Sequence, residues 1–348
     1  MARYDLVFIT HLPSFYKVNL YNELARRMKV FVIFVASSSA IRTRDFVGSD
    51  MKFDCALLHE GDFESRPKAA TLFKLVRLLA QLDYRKVVVG GWDLPEFWAT
   101  VLTSPRSKNA VAVESTIVEG ASSGLRLKVK ELFISRIGTA FPSGRLHQKL
   151  LDSFGFSGKS HFTRGVGIFN RDGAPAAGRE FSSNFLYVGR LAPEKNLALL
   201  VAAFNAMPGV KLTIVGSGPL EGELKSAASP NVTFRSHVPN EEIAGVYRSH
   251  DVFILPSLVE PWGLVVDEAL YYGLPVIVST NVGCHTELVQ HGVNGLVFDP
   301  CSKEALIEAV RSVAHPELNA KMRRNVSLID FAMRDEEQLL AYQQAIGA

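Results

Sequence analysis

Apolar runs rich in β-branched residues recur along the chain and alternate with longer segments of helical periodicity. Eleven of these runs predict β-strands, and several are hydrophobic at nearly every position, which is typical of strands covered on both faces. The predicted strands cover residues 4–9, 30–35, 86–89, 110–113, 139–141, 185–188, 211–215, 232–234, 252–255, 275–278 and 295–298. Helical periodicity between them includes residues 20–28, 69–82, 197–205, 241–248, 264–272 and 303–313.

The regular alternation of strands and helices predicts parallel, doubly wound sheets. Eleven strands are too many for one small sheet of this kind and suit two, and 348 residues are enough for two cores of ordinary size. The predicted fold class is therefore α/β, with two Rossmann-like domains. Two such domains facing each other would leave a cleft at the carboxyl ends of their strands, where α/β proteins bind ligands.

A segment rich in glycine, alanine and proline, residues 166–181, interrupts the periodic pattern and marks the predicted domain boundary. We predict an N-terminal domain over residues 1–165 and a C-terminal domain over residues 166–330. Residues 331–348 have helical periodicity and follow the last strand of the second domain. This final helix is predicted to pack back on the N-terminal domain.

Composition narrows the class of protein. Hydrophobic residues make up 47% of the chain and charged residues 21%, as in soluble globular proteins. The cysteines, Cys55, Cys284 and Cys301, are odd in number and far apart, so neither a disulfide framework nor a metal site is expected. The first ten residues predict a strand and not a signal peptide, and no run reaches 18 apolar residues. A cytoplasmic location is the expectation.

Charge is distributed unevenly between the two halves. Residues 1–165 contain 24 Lys and Arg against 15 Asp and Glu, a net +9, whereas residues 166–348 contain 14 against 20, a net −6. An anionic partner of the first half would account for this, either nucleic acid or an anionic membrane surface. Two basic and apolar helices, over residues 65–82 and 124–140, are candidates for membrane contact, the second with Arg126, Lys128 and Lys130. Solvated surface charge is the alternative.

The most informative motif is SLVEPWGLVVDEALYYGLPVIV, residues 257–278. A buried strand ends in a polar turn, and a helix is predicted to begin near Gly263. Glycine lets a ligand approach the first helical N–H groups, which with the helix dipole suit a diphosphate. Glu260 precedes this helix, and Glu268 follows eight residues later. That spacing is about 2.2 helical turns, so both would project from similar faces if both lie near the helix.

This run resembles the E-x7-E signature of retaining glycosyltransferases of family four, which have the GT-B fold. Trp262 replaces the usual phenylalanine, and the other positions agree. The resemblance implies that the N-terminal domain binds the acceptor and that the C-terminal domain holds a nucleotide sugar. It further implies that Glu260 orients the donor sugar while Glu268 binds the ribose. It also implies that the helix start at Gly263, Leu264 and Val265 binds the diphosphate.

Two further segments fit the same resemblance. Gly189-Arg190 and Lys195 follow a predicted strand end, and both cations can neutralise phosphate oxygens. In the family this block contacts the donor diphosphate, and the stretch that contains Val238 lies beside the nucleotide base. Gly216-Ser-Gly218 lacks the third glycine of a dinucleotide fingerprint and is predicted to be a tight strand-to-helix turn.

The N-terminal half carries fewer motifs. The first turn, with His11 and Lys17, resembles a variety found in polysaccharide-assembling members, although Lys17 replaces their arginine. Another polar strand end is Gly90-Gly91-Trp92-Asp93. Glu114 ends an apolar strand and is predicted to face the cleft, where relatives place a polar residue against the transferred sugar. A structural capping role for Glu114 is the alternative.

The resulting functional hypothesis is retaining transfer of a sugar, as by a hexosyltransferase, from a UDP- or GDP-linked donor to an acceptor hydroxyl. Catalysis would rest on Glu260, Arg190, Lys195 and Glu114. The sequence contains no Asp-x-Asp, so neither a metal nor a further cofactor is expected. The resemblance implies a lipid-linked or surface-polysaccharide acceptor, as in lipopolysaccharide assembly, at the inner face of the membrane, and no nucleic acid partner. A sugar-nucleotide epimerase or a non-catalytic nucleotide-sugar-binding protein are the alternatives.

Overall fold

The structure is a computed structural model that describes residues 3–41, 46–48, 50–120, 123–173 and 181–347. The strands are β1 (Arg3–Thr10), β2 (Val30–Phe34), β3 (Asp54–Leu57), β4 (Asp83–Val89), β5 (Asn109–Val113), β6 (Thr139–Pro142), β7 (Lys159–Ser160), β8 (Asn184–Val188), β9 (Lys211–Val215), β10 (Val232–Arg235), β11 (Val252–Leu255), β12 (Val276–Ser279) and β13 (Gly295–Phe298). The helices are α1 (Phe15–Ala25), α2 (Lys68–Gln81), α3 (Pro95–Thr103), α4 (Ile117–Gly120), α5 (Gly124–Ser135), α6 (Arg145–Ser153), α7 (Leu197–Asn205), α8 (Glu221–Ala227), α9 (Ile243–Arg248), α10 (Leu264–Tyr271), α11 (His285–Leu288), α12 (Lys303–Val313), α13 (Pro316–Val326) and α14 (Phe331–Gly347).

The chain divides into two compact units. The first unit comprises Met1–Phe169 together with Ala332–Ala348, and the second comprises Asn170–Phe331. The division falls after Phe169, close to the predicted boundary at residue 165. The final helix α14 belongs to the first unit, where Leu339 and Tyr342 are buried in its core.

The first unit is built on a seven-stranded parallel sheet in the order β3-β2-β1-β4-β5-β6-β7. Alternate residues of β1 enter two different core clusters, as expected for side chains that point to opposite faces of a strand. Val7 and Ile9 pack with α2, α3, α5 and α6. Leu6 and Phe8 pack with α1 and α14. Helices therefore cover both faces of the sheet.

The second unit contains a six-stranded parallel sheet in the order β10-β9-β8-β11-β12-β13. All four residues of β11 and all four of β12 are buried, which explains why these strands are hydrophobic throughout. The predicted class, α/β with two parallel sheets, is confirmed.

Each sheet has one point at which the strand order reverses. In the first sheet the chain builds β2 and β3 on one side of β1 and the later strands on the other, so the reversal lies between β1 and β4. In the second sheet it lies between β8 and β11. Crevices outside the carboxyl ends of the strands at such a point are where open α/β sheets bind ligands. The two reversal points therefore indicate where each unit would hold a ligand.

Candidate functional site

Two turns lie side by side at the carboxyl ends of the neighbouring strands β8 and β9 in the second sheet. The turn after β9 begins at Gly216, and a Cβ atom there would lie 2.0 Å from the backbone oxygen of Gly189, at the end of β8. Only glycine therefore permits this approach of two backbones. The turn leads from β9 into α8, so Gly216-Ser-Gly218 is the strand-to-helix turn that was predicted.

Lys195 and Glu260 form an ion pair across the reversal point. Lys195 ends a short 3₁₀ turn (Pro193–Lys195) that follows β8, and Glu260 lies in the loop that follows β11. The Lys195 ammonium donates to Oε2 of Glu260, and only 17% and 13% of the two side chains are exposed. Ser257 donates to the same carboxylate oxygen over 3.3 Å. The structure thus brings together two predicted site residues that lie 65 positions apart in the sequence.

Backbone hydrogen bonds hold the Glu260 loop in place. The carbonyl oxygen of Glu260 accepts from the N–H of Gly283 over 2.9 Å, and that of Trp262 accepts from the N–H of Cys284 over 3.0 Å. The indole N–H of Trp262 also donates to the Asp267 carboxylate over 2.7 Å, and both side chains are buried. This bond joins the loop to the first turn of α10. Asp267 is a positioning residue that the sequence analysis missed.

The helix α10 begins where the sequence predicted. Gly263 is its N-cap residue, with φ of +96°, and a Cβ atom there would lie 3.1 Å from side-chain atoms of both Leu255 and Val282. Leu264 and Val265 form the start of the helix, so their N–H groups belong to the first turn, whose donors have no partner within the helix. This geometry suits an anion at the end of β11.

Glu268 is half-buried on α10 and accepts a hydrogen bond from the hydroxyl of Tyr247 over 2.7 Å. Burial raises the pKa of Glu268 to about 7, and the neighbouring charge of Asp267 adds to this, while the Tyr247 hydrogen bond acts in the opposite direction. Glu260 precedes the helix, so the helical spacing that would place it on the same face as Glu268 does not apply. Tyr247 is a second residue that the sequence analysis missed.

The other residues predicted to bind the donor are Arg190 and Val238. Arg190 is 56% exposed and pairs with Glu194, four residues later. Val238 is half-buried in the loop that follows β10. Their proposed contacts with phosphate and base remain predictions.

In the first unit, Glu114 is paired with Lys17. The Lys17 ammonium lies 2.8 Å from Oε1 of Glu114 and is nearly buried. Burial alone would lower the pKa of Lys17, but the Glu114 carboxylate outweighs it and raises that pKa. The pair borders a cavity of about 20 Å³ that Thr10, Tyr21 and Tyr342 also line, room for a single water molecule. Lys17 is thus engaged by a carboxylate inside its own unit.

Comparison with known proteins finds a family match within the second unit. Residues 179–327 match the family described as "Glycosyl transferases group 1". The sulfoquinovosyl transferase SQD2 of Arabidopsis thaliana is 28% identical over 258 residues, which cover 73% of this chain and 46% of that protein. The chain therefore spans less than half the length of this curated relative.

Solved structures of the same fold cover nearly the whole chain. A sucrose-phosphate synthase from Thermosynechococcus elongatus superposes with a TM-score of 0.76 at 20% identity, over 98% of both chains. The Anabaena protein HepE in complex with UDP and glucose superposes with a TM-score of 0.71 at 15% identity, over 99% of this chain and 98% of that one. These likenesses show the GT-B fold.

Among the described residues, none of the helices has both the length and the apolar character needed to cross a membrane.

Proposed function

We propose that the second unit, whose residues 179–327 match the group 1 glycosyltransferases, holds a nucleoside diphosphate sugar, and that the chain transfers the sugar to an acceptor hydroxyl. The observation that carries this proposal is the Lys195–Glu260 pair, which spans the reversal point of the second sheet beside the N-terminus of α10. A cation, an oriented carboxylate and free helical N–H groups are together suited to an anionic leaving group attached to a polyol.

The proposed reaction retains the configuration at the anomeric carbon. The bond from that carbon to the diphosphate oxygen breaks, its electron pair leaves with the diphosphate, and the acceptor oxygen bonds to the same face. The acceptor proton passes to the leaving phosphate oxygen. Lys195, Arg190 and the first turn of α10 would stabilise the charge that grows on the diphosphate. Glu260 would orient the donor sugar. Since the sequence has no Asp-x-Asp, we propose that no metal takes part.

For the donor we propose a UDP-linked sugar first and a GDP-linked sugar second, because HepE binds UDP and glucose in the same fold. The test is a thermal-shift panel of nucleotide sugars, followed by product analysis of the best binder. Transfer is supported by slow release of free sugar and nucleoside diphosphate without an acceptor. Conversion of the donor into an epimer would replace the proposal with the epimerase alternative, and binding without any turnover would replace it with a binding protein.

We also propose that the first unit docks on an anionic membrane surface, where a lipid-linked glycan acceptor would lie. Helices α2, α3 and α5 pack on one face of the first sheet and have large apolar side chains on their outer sides. Phe73 of α2 is 70% exposed and Leu125 of α5 is 78% exposed. The other exposed apolar residues of these helices are Val76, Leu102, Val129 and Leu132.

Basic residues accompany this apolar surface. Arg126 and Lys128 of α5 are exposed, and each basic residue near an anionic leaflet contributes roughly 1 kcal/mol of attraction. Lys130, in contrast, is half-buried against the rings of Trp92 and Phe154. Burial lowers its pKa, with the charge of Arg126 acting in the same direction. The Lys130 side chain therefore packs within the unit. Of the three basic residues, we use only Arg126 and Lys128 to test membrane docking.

Reversing Arg126 and Lys128 to glutamate is expected to reduce co-sedimentation with phosphatidylglycerol-containing vesicles at low salt, because the electrostatic attraction is lost. Phe73→Ser with Leu125→Ser should have a similar effect through lost apolar burial. The matched control is Arg26→Glu, an exposed charge at the end of α1, on the opposite face of the sheet. Equal binding of wild type to neutral and anionic vesicles, or to neither, would contradict the docking proposal and favour a soluble acceptor.

A further inference from the structure

An open cleft lies at the amino-terminal edge of the first sheet. It has a volume of about 500 Å³ and is lined by Arg106, Ser107, Gly138, Ser157, Gly158 and Lys159. These residues lie in the segments that lead into β5, β6 and β7 or at the start of β7. The cleft is therefore at the edge opposite the carboxyl ends of the strands. A volume of this size is within the range of small-molecule sites in proteins.

Close backbone packing shapes the cleft. A Cβ atom at Gly138 would lie 2.5 Å from the carbonyl oxygen of Arg106, and a Cβ atom at Gly158 would lie 2.4 Å from that of Gly138. No real side chain tolerates such contacts, so both positions need glycine. The lining consists of these two glycines, two serines, Arg106 and Lys159. A ligand in the cleft would therefore meet backbone, hydroxyl groups and cations.

The guanidinium of Arg106 is held in a fixed orientation. Its Nε donates to the carbonyl oxygen of Ile137 over 3.2 Å, and its Nη2 donates to Oγ of Ser157 over 3.0 Å. Among the residues that the structure describes, these are the only hydrogen bonds of this guanidinium. A guanidinium has five N–H donors in a planar fork, so the others are available to a ligand. That geometry suits the oxygens of a phosphate group.

The cleft collects positive charge without a carboxylate. None of its six lining residues, all within the described part of the chain, is acidic. Behind the lining, the Lys86 ammonium donates to the carbonyl oxygen of Ser107 over 3.3 Å. Burial lowers the pKa of Lys86, and the charges of Lys159 and Arg85 act in the same direction. Arg85 is paired with Asp5 at 3.7 Å, whereas Lys86 and Lys159 form no ion pair with any described residue. A bound anion would offset the repulsion between these two lysines.

We propose that this cleft is a ligand site of the first unit that binds the phosphate group of a phosphate monoester. Such a group carries nearly two negative charges at neutral pH. It would accept hydrogen bonds from the Arg106 guanidinium and the serine hydroxyls and would pair with the Lys159 ammonium. The rest of the ligand is small and polar, since the lining includes no apolar side chain larger than glycine. The proposed donor site is in the second unit, so this inference does not depend on the proposed function.

Calorimetry on the full chain with sn-glycerol 3-phosphate tests the site, with glycerol as the uncharged comparison. We expect the ester to bind and glycerol not to bind. Lys159→Ala should weaken binding of the ester about tenfold, the equivalent of one lost charge-assisted contact. Because Lys159 is exposed, this variant should fold as the wild type does.

The matched control is Lys29→Ala, which removes the same charge from the same edge of the sheet. Lys29 is exposed and immediately precedes β2, three strands away from β5. This variant should bind the ester as tightly as the wild type does. Equal affinities in the two lysine variants would overturn the site, because binding would then follow the overall charge and not the cleft.

A second pair of variants changes the charge of the cleft at constant side-chain size. Ser157 is exposed and lies next to the Arg106 guanidinium. Ser157→Asp places a carboxylate there, which would pair with Arg106 and should abolish binding of the ester. Ser157→Asn adds the same bulk without the charge and should retain most of the binding. An equal loss in both variants would contradict a site that selects its ligand by charge.

Vesicles that contain phosphatidic acid distinguish the two sources of a phosphate monoester, a soluble compound and a lipid headgroup. If such vesicles displace sn-glycerol 3-phosphate, and Lys159→Ala weakens vesicle binding more than Lys29→Ala does, the source is a lipid headgroup. If they do not displace it, the source is soluble. Binding of neither the ester nor the vesicles would overturn the proposal, and so would competition between the ester and UDP. Absence of UDP binding with ester binding intact would count against the proposed function alone.

Discussion

Lys195→Ala is expected to lower sugar transfer by roughly a hundredfold or more. Two losses combine in this variant. The leaving diphosphate loses a charge-assisted contact worth about 1.5–3 kcal/mol. The Glu260 carboxylate, which is 13% exposed, loses its ion-pair partner, and an unpaired buried charge costs about 3–5 kcal/mol. Steady-state kinetics and UDP calorimetry measure the first loss, and thermal unfolding measures the second.

Two further variants test whether the loss of UDP binding comes from a specific diphosphate site. Arg190→Ala should weaken UDP binding less, because Arg190 is largely exposed and already paired with Glu194. Lys225→Ala removes an exposed cation that pairs with Glu221 in the same unit, so it should leave UDP affinity unchanged. If Lys195→Ala and Arg190→Ala both bind UDP as tightly as the wild type, the assignment of a diphosphate site is wrong.

The stability of the Lys195 variant is the remaining control. Lys195→Ala combined with Glu260→Gln removes both charges and should recover part of the lost thermal stability without recovering activity. This separates the cost of an unpaired carboxylate from the loss of a phosphate contact. Transfer by the double variant equal to that of Glu260→Gln alone would show that Lys195 matters only through Glu260.

The sequence was sufficient to predict most strands of the two sheets, because the buried strands consist almost entirely of apolar residues. The eleven predicted strands are all present in the structure. The two strands that were missed, β3 and β7, are at opposite edges of the first sheet. Most residues of β3 are exposed, and β7 consists of Lys159 and Ser160 alone. Edge strands need not be hydrophobic, so periodicity gives no signal for them.

The predicted site residues were chosen as single positions, and their pairing could not be predicted. Lys195 meets Glu260 because β8 lies next to β11, and strand order is a property of the tertiary fold. Lys17 of α1 likewise meets Glu114, which follows β5, only because the tertiary fold brings the two elements together. The helix start at Gly263, in contrast, follows from local sequence, because glycine tolerates the left-handed conformation that the N-cap adopts there.

The two carboxylates of the E-x7-E run are expected to respond differently to amide substitution. Glu260→Gln should lower turnover on the order of a hundredfold, because it removes an oriented charge from the donor sugar. It should leave UDP affinity nearly unchanged or slightly improved, since Lys195 would no longer pair with a carboxylate and could contact the phosphates. Glu268→Gln should instead weaken UDP itself, because a ribose contact is common to donor and product. The reverse pattern would show that the two roles are exchanged.

The pH dependence distinguishes a ribose contact at Glu268 from a structural role. The pKa of Glu268 is raised to about 7 from an ordinary value of 4.5, so the folded state binds its proton more tightly than the unfolded state does. Its contribution to stability is therefore fully present below about pH 4.5 and is lost as the pH rises to 7. Glu268→Gln cannot ionise, so its unfolding free energy should exceed that of the wild type above pH 7, by up to about 3 kcal/mol.

Donor binding should have the opposite pH dependence, because only the ionised carboxylate accepts hydrogen bonds from both ribose hydroxyls. Affinity for UDP-glucose, whose diphosphate does not titrate near neutrality, is expected to rise between pH 6 and 8, on either side of the Glu268 pKa of about 7. In Glu268→Gln the same titration should be flat, and in Glu260→Gln it should keep the wild-type slope. Calorimetry at several pH values measures all three proteins. A slope that survives in Glu268→Gln would assign the titration to another group and remove Glu268 from the ribose site.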